Sequence, residues 1–151
     1  MPPLTLATVQ SPDQITPAIL TGCSRLVPDS TPFFIERLPM AEAIVNKCTY
    51  NVQNYLSNHP GEMILGWEVS VWENVLLDCI GHAVIRFGDQ WRCITPSKYG
   101  DTKLLFIPDS RLTFDFNDPM ARMPVKKIAL SSRPEVKRFI EVDLAEYEIK
   151  I

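Results

Sequence analysis

The stretch Gly66–Pro96, GWEVSVWENVLLDCIGHAVIRFGDQWRCITP, decides the fold. In its first part, Met63 to Trp72, the residues Trp67, Val69 and Val71 alternate with Glu68 and Ser70. That is the period of a strand with one buried face. Val75 to Phe87 is nearly all apolar, as in a central strand. Gly88-Asp89 supplies a hairpin turn, and Gln90 to Thr95 reads as a third strand. His82 lies near the middle of the second strand, between Gly81 and Ala83.

Upstream, Ala43, Ile44, Cys48, Val52 and Tyr55 recur at three- and four-residue steps, the spacing of a helix that begins after Pro39. Asn46 is a candidate N-cap, which would put Cys48 at the second helical position. A start near Met40 would put it mid-helix instead. Asn58-His59-Pro60-Gly61 stops the helix. Before it, Thr31–Leu38 is aromatic and β-branched enough for a strand. A short helical turn over Thr16–Leu26 would place Ile15, Ile19, Leu20 and Leu26 on one face. Downstream, Lys103–Ile107 reads as a fourth strand closed by Pro108-Asp109, Leu112–Phe116 as a short fifth, and Asn117–Pro124 as a loop. Ser132-Arg133-Pro134-Glu135 fits a capping box with proline in the first turn, opening a helix to about Glu148.

These elements add up to one α+β domain over 1–151. A helix packs on an antiparallel sheet of four to five strands, with a proline-rich N-terminal arm over 1–30, a core over 39–109 and a C-terminal helix over 132–148. The expected core is Trp67, Val69, Val71, Ile80, Val84, Leu105 and Ile107.

The chain has 151 residues, 46% apolar and 22% charged, with a net charge of −3. That balance suits a soluble globular protein and gives no basic footprint for nucleic acid. No apolar run reaches a membrane span, and MPPLTLATVQSPDQ lacks the basic start and apolar stretch of a signal peptide. Four widely spaced cysteines read as reduced thiols of a cytoplasmic protein. Export by a route needing no such segment stays open. A monomer or weak oligomer without cofactor is expected.

The chemistry sits on Cys48 and His82. A cysteine nucleophile reacts as the thiolate, and a helix N-terminus and a nearby imidazolium both favour that form. His59 lies in a turn, leaving His82 as the base. Core packing of a lone cysteine and a lone histidine is the competing reading. A base needs an orienting partner. Across the turn the following strand offers Cys93 and Thr95. Asp78 shares a strand face with His82, though about 13 Å away along an extended chain. Zinc on Cys79, His82, Cys93 and Cys48 is disfavoured, because strand alternation points positions 79 and 82 to opposite faces.

The words Cys48 with Asn51-Val52, Gly66-Trp67, Trp72-Glu73, His82-Ala83-Val84, Thr95-Pro96 and Leu105-Phe106-Ile107-Pro108-Asp109 resemble a family of small, uncharacterised bacterial and phage proteins. The likeness spans about Pro39 to Asp109. Its order, helical cysteine then strand histidine, is similar to papain-like and transglutaminase-like cores. The resemblance implies Cys48 as nucleophile and His82 as base; a hydrolase using them would take a peptide, protein or small amide as substrate. Such sequences usually carry Asp two residues before the Thr-Pro, where this chain has Cys93. Asn51, Trp67, Trp72 and Glu73 become candidates for substrate binding. Against that stands a structural role, with Gly66 letting the Trp67 indole pack and Trp72-Glu73 closing a strand. Two readings follow: a cysteine hydrolase or acyl-transfer enzyme, and a degraded binding module on the same scaffold.

Overall fold

The computed structural model describes the backbone of residues 9–150 and the side chains through Asp143. The first eight residues of the expected arm lie outside the described residues. Three helices and six strands follow in the order α1 (Pro17–Leu26), β1 (Phe33–Arg37), α2 (Cys48–Leu56), β2 (Glu62–Trp72), β3 (Leu76–Phe87), β4 (Gln90–Cys93), β5 (Lys103–Pro108), β6 (Val125–Ala129) and α3 (Pro134–Lys150).

The β2–β3 hairpin is the spine. It pairs Glu62 with Arg86 at one end and Trp72 with Leu76 at the other, so Gly66 lies opposite His82. Asn74 makes the turn with φ 65°, a left-handed conformation that asparagine tolerates. One edge of β2 carries β5, which carries β1, which runs parallel to β4, which returns to β3. Five strands therefore close into a barrel, and β6 extends the sheet along the first half of β3. The parallel β1–β4 pair departs from the expected antiparallel sheet of four to five strands, and closure is no part of that expectation. The closing pair joins Glu36 and Arg37 to Arg92 and Cys93, and no local pattern announces a partner so distant in the chain.

Alternation sorts the side chains into two layers. Inside the barrel, Ile35, Val84, Cys93, Leu104 and Phe106 are buried together, with Phe33, Ile64 and Trp91 against them. Outside, α1 covers Trp67, Val69, Leu77, Cys79, Leu105 and Ile107 through Ile19, Cys23 and Leu26. The second outer cluster joins Val52 of α2 to Ala83, Ile85 and Ile94. Thr16 caps α1 by accepting from the Ile19 N–H at 3.2 Å, and Pro17 follows at the first helical position. Leu20, expected on the buried face of α1, is exposed.

Three more expectations change. Helix α2 starts at Cys48 itself, because Asn46 takes a left-handed φ of 64° and Lys47 occupies the cap position without a side-chain bond. Leu112–Phe116 is a loop, whereas Val125–Ala129 forms β6 on β3. Ile80, expected in the core, is 43% exposed.

Candidate active site

On its second edge β3 pairs with β6 through Ile80 and with β4 from Ile85 onward. Between them the edge is left to other partners. The Gly81 N–H donates to the Pro124 carbonyl at 2.7 Å. Gly81 is needed there, since a Cβ would lie 2.9 Å from both Met123 and Pro124. The start of α2 reaches the same notch, where the Cys48 sulfur meets the Ala83 backbone and the His82 ring. Cys48 is the one half-buried cysteine; Cys23, Cys79 and Cys93 are buried.

His82 points into the barrel and is itself buried. Its Nε2 lies 3.2 Å from the Cys93 sulfur. The Cys93 thiol donates to the Thr95 carbonyl at 3.6 Å, so its sulfur is left to accept. His82 Nδ1 stands 3.7 Å from Glu68 Oε1. Glu68 in turn pairs with Arg37, Nη2 to Oε2 at 3.0 Å. Arg37 also donates to the Thr95 carbonyl at 3.0 Å and approaches the Cys93 sulfur at 3.5 Å. Its Nε, buried, has no hydrogen-bond partner among the described residues.

Burial pushes the Cys48 thiol up, yet the hydrogen bond and charge of His82 outweigh it. Backbone groups of Ala83 and Thr49 add to them, and the net result is a lowered pKa. Burial pushes His82 down, but its bonds to Cys48 and Cys93 and the charge of Glu68 carry it well above its ordinary value. Both shifts favour the same state, thiolate facing imidazolium. Lys47 places no side-chain cap on the first turn of α2, and the Thr49 N–H of that turn meets the Cys48 sulfur instead.

The remaining candidates separate. Cys93 and Thr95 belong to the cluster. Asn51 is buried one turn along α2, donating to Thr95 Oγ1 at 3.0 Å and bonding both backbone groups of Ile44, which fixes the approach to Cys48. Asp78 is instead paired with Lys127 at 2.7 Å, and Lys127 also meets Asp143 at 3.1 Å. Trp67 is core, its indole N–H donating to Asp109 at 2.9 Å. Trp72 packs on Phe139 beside Val75, Leu76 and Val136, and Glu73 is exposed in the hairpin turn. These three lie away from Cys48. Cys79 faces α1, on the far side of the sheet from His82. No group of three or more His, Cys, Asp or Glu poised to hold a metal occurs among the described residues.

Glu68 and Arg37 are not among the sequence candidates; Glu68 enters there only as a residue alternating with the apolar face of β2. The signal was the hairpin. Once its turn is set at Glu73–Val75, the antiparallel register puts Gly66 beside His82 and Glu68 diagonally next to it. No family model, curated protein or solved structure matches the chain. The described residues contain no helix long and apolar enough to cross a membrane.

Proposed function

We propose that the protein is a cysteine-dependent hydrolase or acyl-transfer enzyme of the peptidase, amidase or deamidase type, built on a papain-like or transglutaminase-like core. The observation that carries this reading is the Cys48 sulfur at the first position of α2, paired with the His82 imidazole. The thiolate attacks the carbonyl carbon of an amide, and the carbonyl electrons move onto oxygen. In this reading first-turn N–H groups of α2 receive that oxyanion. His82 Nδ1–H then protonates the leaving nitrogen as the C–N bond breaks, giving a thioester on Cys48. Water, or another acceptor, gives its proton to Nδ1 and displaces the thiolate. Throughout, Nε2–H donates to Cys93, which fixes the tautomer.

The substrate class in this reading is a peptide, protein or small amide with an apolar group beside the scissile bond. Ile80 lies on the His82 face and is exposed, and Tyr50, two residues after Cys48, meets the rings of Phe114 and Phe116. Such a protein would work in the cytoplasm, where four unpaired thiols persist. The second reading, a binding module on the same scaffold, draws on Cys93, a weak acceptor in the position of an orienting acid.

The test is turnover of a panel of fluorogenic amides and thioesters, with mass spectrometry for a hydroxylamine-sensitive adduct on Cys48. An adduct lost in Cys48→Ala and slowed at least about 100-fold in His82→Ala supports the enzyme, a general base being worth about that much or more. Binding of a peptide that survives Cys48→Ala, with no adduct in the wild type, favours the module.

A further inference from the structure

The unexplained feature of the site is a buried ion pair inside the barrel. We propose that Arg37 and Glu68 form the positioning unit of the site: Glu68 holds His82 as the imidazolium that faces Cys48, and Arg37 keeps the Glu68 carboxylate from opposing the thiolate. This rests on the reading of Cys48 and His82 as nucleophile and base.

Four neighbouring strands of the barrel deliver one side chain each to the cluster: Arg37 from β1, Glu68 from β2, His82 from β3 and Cys93 from β4. Cys93 takes Nε2 but, as a thiol, brings no charge to stabilise an imidazolium. The carboxylate comes from the other side of the ring. At 3.7 Å from Nδ1 it is too far for a good N–H···O bond, so the ring keeps its bond to Cys48 while the charge of Glu68 acts through space. A bare carboxylate there would also raise the energy of a nearby thiolate. Arg37, 3.0 Å away on the other oxygen, offsets it. The sequence Arg37, Glu68, His82, Cys48 thus alternates in sign from the closed interior to the half-buried sulfur.

No other charge does this work among the described groups facing His82. From α2 comes Cys48, from β4 Cys93, and β5 contributes only Leu104 and Phe106 to the interior. On the strand of His82 itself, Asp78 is engaged by Lys127 of β6, which is shared with Asp143 of α3. A purely structural pair would need only to bridge β1 and β2. Glu68 instead keeps its second oxygen toward the ring.

Alkylation by iodoacetamide, followed peptide by peptide against pH, tests this in the full chain. The wild type should give a Cys48 midpoint below the free-thiol value, and His82→Ala should return it to about 8.5 or above. Glu68→Gln should raise the midpoint by about one unit or more, slowing alkylation below that midpoint about tenfold. Glu68→Gln with Cys93→Asp should recover most of the loss, since a carboxylate then reaches Nε2 from β4. Should Glu68→Gln alone unfold by circular dichroism, Arg37→Met with Glu68→Gln, which removes both charges, replaces it and should also show a raised midpoint. If the Glu68 variants keep the wild-type curve while His82→Ala shifts, the positioning role falls and the Cys48–His82 reading stands. If wild type and His82→Ala share one curve, that reading fails and takes this inference with it.

Discussion

The two ends of the barrel interior are built from the same strands, two to four residues apart. Strand β1 offers Ile35 to one end and Arg37 to the other; β3 offers Val84 and then His82; β2 offers Ile64 and, past Gly66, Glu68. The first end is closed by aromatic packing, Phe33 standing edge-on to Trp91 and Phe106 at 5.0 and 6.2 Å. The second end is polar and opens toward the Cys48 notch. A small barrel interior filled by side chains is a rigid frame. The apolar end supplies the stability that lets the other end hold three polar side chains and a thiol in one geometry. Gly66 marks the border. Any side chain there would strike the Ile107 carbonyl and the Phe106 ring, so the strands close tightly beside His82.

The largest expected effect lies at the apolar end. Phe106→Ala removes a fully buried ring and should cost about 3 to 5 kcal/mol in urea unfolding. If the loss is under about 1 kcal/mol, the barrel does not close as described.

The next lies at the charged end. Arg37→Met leaves Glu68 without its partner and should destabilise by about 2 to 4 kcal/mol, at the low side for a broken buried pair because Glu68 is 22% exposed. Adding Glu68→Leu should recover most of that stability, since both charges are then gone, while Cys48 loses reactivity. Recovery of stability without recovery of alkylation would separate what the two ends do. Recovery of both would mean the pair is structural only.

How much of this was legible in the sequence follows from where each signal is stored. The β2–β3 hairpin, β4, β5, the C-terminal helix and the Cys48-then-His82 order sit in local periodicity and turns. Closure does not, because β1 meets β4 across more than fifty residues, and only closure decides that the Glu68 face of β2 is interior. Alternation tells two faces apart without saying which one sees water. Strand β6 is hidden because Lys126-Lys127 interrupt the apolar pattern of so short a strand. Lys127 in fact buries its ammonium between Asp78 and Asp143, while Lys126 lies over the Trp67 ring. Residue type alone makes Asn46 a cap; its left-handed φ makes it the turn before the helix.

A third, smaller effect is pH-dependent and belongs to neither end of the interior. Asp109, on the outer side, is held well below the ordinary carboxylate range by its bonds to Arg111 and to the Trp67 indole. A depressed carboxylate contributes stability that is present above its unfolded pKa, near 3.9, and is lost as pH falls below it. His82 runs the other way. Its raised pKa contributes stability fully present below about 6.5 and lost as pH rises through the folded value. Thermal melts should therefore fall below pH 4 in the wild type, and the fall should be shallower in Asp109→Asn, which starts less stable at pH 7. Equal acid slopes would show that Asp109 is not the group responsible.

The smallest stability effect is expected where sequence and structure disagree most sharply, at Ile80. Strand periodicity put it in the core, where truncation would cost about 2 to 5 kcal/mol. In the structure it lies on the His82 face beyond the last interior layer, opposite Glu68 on β2 and Val125 on β6, and is 43% exposed. Only part of its apolar surface is removed from water, so Ile80→Ala should cost less than about 1 kcal/mol. An exposed isoleucine beside a reactive pair serves a ligand better than it serves the core. The same variant should therefore weaken recognition of an apolar amide substrate, raising KM about 5- to 10-fold with kcat little changed, as for loss of one or two methylene-sized contacts in a pocket. A stability loss above 2 kcal/mol would return Ile80 to the core and close the mouth of the barrel. An unchanged KM with unchanged stability would leave the apolar face without a part in binding and move the substrate to the Tyr50 side of Cys48.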